Sequence, residues 1–539
     1  MAAERDIAAQ PVPGSTRVRY KGAGAWWRFP RAPLVWGIFA LELILLLICE
    51  LPGVADFQKF GFYDEGAWLH MDALVAWGGA GKVPTVDFGY SYGMLPLISG
   101  HAWFAVLGRN PWTFIAFVTL CNLGAAWGMA SILEAVSESR GGKGSSIGWA
   151  YVGLACLLLP YAIFPNNYSL MHPLEMMLMV LSVAQQAKGR YGAALAFATL
   201  AVLTKPTLGY VLGLELLIYA WRLGKGWKII LLPIVAGAAG GLLELCTVGW
   251  KPLVNNLLPL AGGKSYVAMH FGFFHAGRDF WWHSAGSIGA TLLYYLNTPV
   301  LMWFFGTAVT WIAALVVLVR ARRRVAMPLD GGTPETDALL VTVAILHAVF
   351  VFALYAWSGS WTYYSYLWVI GVLIVLVRLP DFISVFSIPF NRRQAMAAIV
   401  VIAAIGLFAK AGESMGRWGY MRREAGAGGL WAFPDFLNDA EKVREMTKGR
   451  NALYLVNGNL PAIWPEVQTP AVWFLSPGIQ TPPELSALRG QIDAAELVVT
   501  FKDYDPLQEA WNWPELAEQR RGFEIAYTGR SFVVWKRRG

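Results

Sequence analysis

Charge is scarce in this sequence. Of 539 residues only 14% are Asp, Glu, Lys or Arg, where a soluble domain averages about 25%. With 56% hydrophobic residues and a mean hydropathy of +0.46, the chain reads as a polytopic membrane protein rather than a soluble enzyme. Cysteine is scarce as well. Cys49, Cys121, Cys156 and Cys246 all lie in apolar segments, so no disulfide framework is expected and each reads as a small packing residue. Met1–Tyr20 lacks the apolar h-region of a signal peptide and reads as a disordered cytoplasmic tail. No repeat of fixed period is visible, which counts against the many transporters built from repeated halves. A net charge of +8 would suggest nucleic acid in a soluble chain. Here most Lys and Arg sit at the ends of apolar segments, where they set topology.

The chain divides into a basic cytoplasmic tail (1–32), a transmembrane domain (33–411) and a C-terminal part (412–539). Arg17, Arg19, Lys21, Arg28 and Arg31 precede the first span, roughly Pro33–Leu51, and hold the N-terminus in the cytoplasm. The loop 52–110 is then external. Within it Met94–Leu107 is short for a span, which needs about 20 residues, and it is expected to lie on the outer surface as an interfacial helix, as is Glu65–Gly78. Spans at Pro111–Ala135, Ile147–Phe164, Leu170–Ala187, Tyr191–Thr204, Thr207–Trp221 and Trp227–Val248 lead to a second external loop, 249–284. Pro299–Val319, Ala338–Trp357, Tyr363–Val377 and Gln394–Lys410 complete about eleven. An odd number places the C-terminus outside. There the composition shifts to short strands (Asn451–Val456, Ala471–Leu475, Leu497–Phe501, Phe523–Thr528, Ser531–Trp535) with helices at Pro434–Met446 and Pro506–Trp513. The expected architecture is a polytopic α-helical membrane protein with external juxtamembrane helices and a small C-terminal external α/β domain.

Acidic residues crowd the first external loop. Asp64 and Glu65 stand just past the first span, and Asp72 and Asp87 follow among aromatics and glycines. The pair has two compatible readings: an N-cap with an acidic first turn, or a base that takes a proton from an attacking hydroxyl. Lys205, between two apolar segments and before Pro206, is either a snorkelling anchor or a cation for a phosphate. His270, His275 and His283 share an aromatic loop with Arg278 and Asp279. Their spacing matches no tight zinc motif, and the loop reads as sugar- or lipid-facing. His172 and Glu175 add polar groups at another external turn.

Together these features resemble the GT-C superfamily of integral-membrane glycosyltransferases, which includes protein O-mannosyltransferases and aminoarabinose and polyprenyl-phosphate-sugar transferases. The resemblance is carried by YDEG at Tyr63–Gly66, G-x-x-P-x-x-D-F at Gly81–Phe88, YGMLPL at Tyr92–Leu97 and LTKPTLG at Leu203–Gly209. It implies a GT-C-like fold in the cytoplasmic (inner) membrane and a donor sugar carried on a polyprenyl phosphate. The acceptor would be a glycan, lipid or protein, membrane lipids the surroundings, and nucleic acid no partner. By the same resemblance Asp64 stands at the catalytic position with Glu65 beside it. Lys205, Tyr92 and Arg278 are the expected donor-phosphate residues. Asp87, His172, Glu175, His270 and His275 are expected to line the acceptor or substrate path, Glu175 being a loose match to a further family acid. No cofactor is implied beyond a divalent metal ion, which is left open. The rival class is a transporter or flippase of lipid-linked sugars, in which the acids would bind rather than catalyse.

Overall fold

In a bilayer every backbone N–H and C=O must find its partner within the protein, so long apolar runs become helices. The computed structural model describes residues 51–62, 67–75, 81–84, 87, 93–138, 171–204, 228–250, 310–319, 334–350, 415–422, 429–456, 460–470, 482–502 and 510–539, with isolated positions at 40, 44, 47, 48, 213, 216–218, 221, 308, 375 and 397. Two short helices, α1 (Phe57–Phe62) and α2 (Ala67–Leu74), open the first loop. Then come α3 (Met94–Leu107), α4 (Pro111–Glu138), α5 (Met171–Ala187), α6 (Tyr191–Thr204), α7 (Lys228–Val248) and α8 (Pro334–Phe350). The bounds of α3 and α6 are those of the apolar runs in the sequence. Helix α2 is shorter than the expected Glu65–Gly78, because Lys82 donates to the Leu74 carbonyl (2.8 Å) and draws the chain into a bridge with Val75.

Glycine sets the helix spacing. A Cβ on Gly128 of α4 would come within 2.7 Å of Val180 on α5, so the two axes approach closely. Helices α5 and α6 form an antiparallel hairpin turning through Gly189, whose φ of 68° is the left-handed region that glycine tolerates. The Ser182 hydroxyl donates to the Ala194 carbonyl (2.8 Å) across it. Among the described residues one stretch, Pro111–Met129, is long and apolar enough to cross a membrane; Met94–Leu107, Tyr191–Thr204, Gly237–Cys246 and Thr310–Val319 are shorter apolar helices. Helix α7 exposes Leu231, Ile234, Val235 and Leu242, an apolar face that suits lipid and not water. The expected spans at Ile147–Phe164, Tyr363–Val377 and Gln394–Lys410 lie outside the described residues, apart from isolated positions.

The C-terminal part holds a sheet of order β1-β2-β4-β3: Ala452–Tyr454, Leu497–Phe501, Phe532–Arg537 and Phe523–Thr528. The β1–β2 pair is parallel and the others antiparallel. Every residue of β2 is buried, as a central strand covered on both faces requires. Helix α9 (Pro434–Thr447) precedes β1, while α10 (Leu460–Ile463) and α11 (Pro482–Ala494) form the crossover to β2. The expected strand Ala471–Leu475 lies outside the described residues. Where a helix was expected at Pro506–Trp513, the described part makes two 3₁₀ turns, Ala510–Asn512 and Pro514–Leu516, since Pro514 offers no N–H to continue an α-helix.

One face of this sheet shares its core with the first loop. Phe57, Phe60 and Trp68 are buried together with Trp431, Phe436, Tyr454, Trp464 and Phe532. Backbone bonds reinforce the join: Phe57 donates to the Trp431 carbonyl (2.8 Å) and Trp431 to that of Ala55 (3.0 Å). The Trp431 indole donates to the Pro52 carbonyl, and His70 Nε2 lies 3.1 Å from the Pro470 carbonyl. Residues 51–62 and 67–75 thus contribute to the core of the C-terminal part.

Candidate active site

Two of the sequence motifs meet through their backbones. Gly93, of YGMLPL, donates its N–H to the carbonyl of Thr204, the residue before Lys205 (2.9 Å). A Cβ on Gly93 would overlap the Leu203 carbonyl oxygen, so no other residue fits there without a shift. The contact sets the C-terminus of α6 on the N-terminus of α3, the favourable order for two helix dipoles, and each end satisfies an orphan group of the other. Pro96 falls in the first turn of α3, where a missing N–H costs nothing. Helix α7 closes the junction from a third side. A Cβ on its Gly240 would come 2.6 Å from the Leu203 side chain, and the next turn carries Glu244, 3% exposed.

Glu175 lies in the second turn of α5, not at a turn between helices, and is 1% exposed. The Ser182–Ala194 bond fixes the hairpin register, so counting back equally along both strands places Glu175 at the level of Ala201, just inside the junction. His172 is in the first turn of the same helix. Asp87 is half-buried and locks its own turn: its carboxylate accepts from the Val83 N–H (2.7 Å) and its N–H donates to the Val83 carbonyl (2.9 Å). That is the local work of the P-x-x-D element. Asp64, Glu65, Tyr92, Lys205, His270, His275 and Arg278 lie outside the described residues.

A second polar cluster ties α2 to α3. Asp72, 1% exposed, accepts from His101 Nδ1 (2.8 Å) and from Arg109 Nε (2.7 Å). Gly108, at φ 86°, reverses the chain after α3, and Asn110 then caps α4 by accepting from Trp112 and Thr113 (3.0 Å each), with Pro111 at its first position. Arg109 is thereby turned back toward Asp72. Among the described residues no group of three or more His, Cys, Asp or Glu is placed to hold a metal ion. Glu244 was missed by sequence reasoning. A lone acid in an apolar run was its signal.

The fold is one already seen in a solved structure. It is shown by the crystal structure of ArnT from Cupriavidus metallidurans in the apo state, which covers 93% of this chain and 98% of its own length with a TM-score of 0.50 at 14% identity. ArnT from the same organism bound to undecaprenyl phosphate matches over 93% of this chain and 97% of its own at a TM-score of 0.43 and 13% identity. No family model and no curated protein match the chain.

Proposed function

We propose that the chain is a GT-C-type glycosyltransferase that moves a sugar from a polyprenyl-phosphate donor to a hydroxyl of a glycan, lipid or protein acceptor at the external face of the cytoplasmic membrane. The observation that carries this reading is the backbone contact of Gly93 with Thr204. It joins two motifs that are far apart in sequence, and their next residues are Tyr92 and Lys205, the expected phosphate ligands.

In this reading Asp64 takes the proton of the acceptor hydroxyl, with Glu65 beside it. The hydroxyl oxygen bonds to the anomeric carbon as that carbon's bond to the phosphate oxygen breaks. The ammonium of Lys205, assisted by Tyr92 and Arg278, offsets the charge left on the polyprenyl phosphate. Asp87, His172, Glu175, His270 and His275 serve the acceptor path. A divalent metal ion near the acidic loop is a subsidiary proposal, tested by turnover after dialysis against a chelator.

The test is Asp64→Asn in detergent, where no membrane separates two compartments. Release of polyprenyl phosphate from a synthetic polyprenyl-phosphate sugar should fall about 10²–10⁴-fold, with binding of the lipid phosphate retained. Unchanged turnover would remove Asp64 from the mechanism. Donor binding with no turnover in the unsubstituted protein would favour the flippase.

A further inference from the structure

Three parts of the chain that leave large apolar side chains uncovered converge around the start of α4. Val106 and Leu107 end α3 and are 81% and 48% exposed. Gly108 then reverses the chain, and Thr113 holds the corner: its hydroxyl donates to the Gly108 carbonyl (2.7 Å) and its carbonyl accepts from the Trp103 indole (2.8 Å). Trp112, itself exposed, is the second residue of α4 and adjoins the C-terminal part. A Cβ on Gly429 would come 3.4 Å from its indole nitrogen. Two residues beyond Gly429 stands Trp431, and the ring of Phe433 meets those of Trp431 and Tyr420, each at 5.1 Å. Tyr420 lies in the helical stretch 415–422, which exposes Met415 (70%) and Trp418. The Trp418 indole donates to the Ile48 carbonyl (2.7 Å), where Ile44, Leu47 and Ile48 are exposed as well.

Large apolar side chains left uncovered in one continuous belt need an apolar partner. Amphipathic aromatics gather where lipid meets water, and among the described residues α4 begins there the one stretch long enough to cross a membrane. Charge agrees with that partner. Arg109, 42% exposed and held by Asp72, and Arg422, also exposed, place cations beside the belt, at the level where lipid phosphates lie. We propose that the α3–α4 corner and the 415–433 region form one lipid-seated girdle. In it Val106, Leu107, Met415 and Phe433 enter the acyl region of the leaflet facing the C-terminal part, and Arg109 and Arg422 meet the phosphates of anionic lipids. Helix α3 then does not lie flat on the surface. Met94, Pro96, Leu97 and Gly100 are buried in protein, and only its last turn reaches lipid. Trp431 is also part of the core that the first loop shares with the sheet, so the girdle fixes the height of that whole body above the leaflet. The proposal goes beyond the glycosyltransferase reading and does not depend on it.

The experiment reconstitutes the full chain in liposomes of phosphatidylcholine and phosphatidylglycerol. A spin label is attached through a ketone-bearing residue at position 106, 415 or 525, which leaves the native cysteines untouched. Ile525, 58% exposed on the C-terminal sheet, supplies the reference for water. Collisions with oxygen, which dissolves in the bilayer, are compared with collisions with a water-soluble nickel chelate. Labels at 106 and 415 should meet oxygen freely and nickel several-fold less than the label at 525, at a depth of about 5–10 Å below the headgroup boundary. Nickel access equal to that at 525 would put the belt in water and overturn the proposal. Shielding from both reagents would mean that protein covers it, a second copy if labels on different chains broaden each other, and would overturn it too. Lipid contact at 106 but not at 415 would break the girdle into a corner and an unrelated patch. Adding phosphatidylglycerol to plain phosphatidylcholine liposomes should deepen the 415 label in the parent chain and not in Arg422→Gln. No response of the parent to the anionic lipid would overturn the phosphate contact.

Discussion

Near residue 57 the first loop meets the C-terminal sheet through large aromatic side chains, whereas at Gly93 the same loop meets helix α6 through bare backbone. Phe57 packs on Trp464 with ring centroids 5.2 Å apart and on Phe436 at 6.2 Å, and Trp431 seals the join. Contacts of that kind are numerous and individually modest, worth about 0.5–1.5 kcal/mol per aromatic pair beyond the area they bury. They fix where the loop is without demanding any one geometry. At Gly93 the tolerance is that of a hydrogen atom. Adhesion and alignment are thus separated in this molecule, and two of the sequence motifs meet, through Gly93 and Thr204, where alignment is set.

The sharpest way to break the comparison is Gly93→Ala. Its methyl would fall on a backbone oxygen, which has no side-chain torsion by which to move aside. The end of α3 must shift, and a displacement of about 1 Å at a reacting site costs on the order of 10² in rate. Turnover should therefore collapse. Gly240→Ala is the matched control. Its methyl meets the flexible end of Leu203, so overpacking of about 1–3 kcal/mol is expected with turnover reduced much less. Equal losses in the two variants would show that packing, not backbone placement, is what the junction supplies.

How legible each region was follows from the same distinction. The junction was half visible. Gly93 and Thr204 fall within YGMLPL and LTKPTLG, and the apolar runs gave the bounds of α3 and α6, because a helix end against glycine or proline punctuates a sequence locally. Glu244 was not singled out, since one acid in an apolar run has no spacing partner to mark it. The aromatic join was invisible. Trp431 bonds Pro52 across 379 residues, and many large apolar side chains would satisfy the same pocket, so no pattern is imposed on the sequence. Leu497–Phe501 and Phe523–Thr528 were legible as strands because β-branched and aromatic residues cluster there. That they build a core with the first loop was not, for the sheet face could have closed on its own helices.

At the aromatic join the expected effect is on stability and not on rate. Trp431 is 1% exposed and among the largest fully buried side chains. Trp431→Ala removes its packing and its bond to Pro52, and large-to-small aromatic changes cost about 3–5 kcal/mol. The unfolding transition should move down by several degrees. Below it, the specific activity of the folded protein should hold within a few-fold. A loss of turnover as large as that of Gly93→Ala, at a temperature where the variant is folded, would mean that the join also aligns the site.

The smallest effect isolates the sheet side. Asp439, 6% exposed, accepts from the Tyr527 hydroxyl (2.6 Å) and from the N–H groups of Ser531 (2.7 Å) and Phe532 (3.1 Å), pinning α9 to the β3–β4 hairpin beside the shared core. The bond to that carboxylate, and then burial, push the Tyr527 phenol up to about 12 from its ordinary 10.0. The folded chain thus keeps this proton where the unfolded chain has lost it. Unfolded molecules bind fewer protons between about pH 10 and 12, so stability falls as pH rises through that window and the contribution is whole below it. Tyr527→Phe should lower stability slightly at neutral pH, by the net worth of one hydrogen bond to a charged group, about 1.5–3 kcal/mol at most. It should also make the alkaline decline shallower. The decline should not vanish, because burial also raises the hydroxyl of Tyr454, which lies 2.8 Å from Thr447. Hydrogen exchange at α9 and β4 should follow this titration while exchange at Met94–Leu107 does not. If both regions loosened together between pH 10 and 12, the aromatic join and the glycine junction would be one cooperative unit, and the separation of adhesion from alignment would fall.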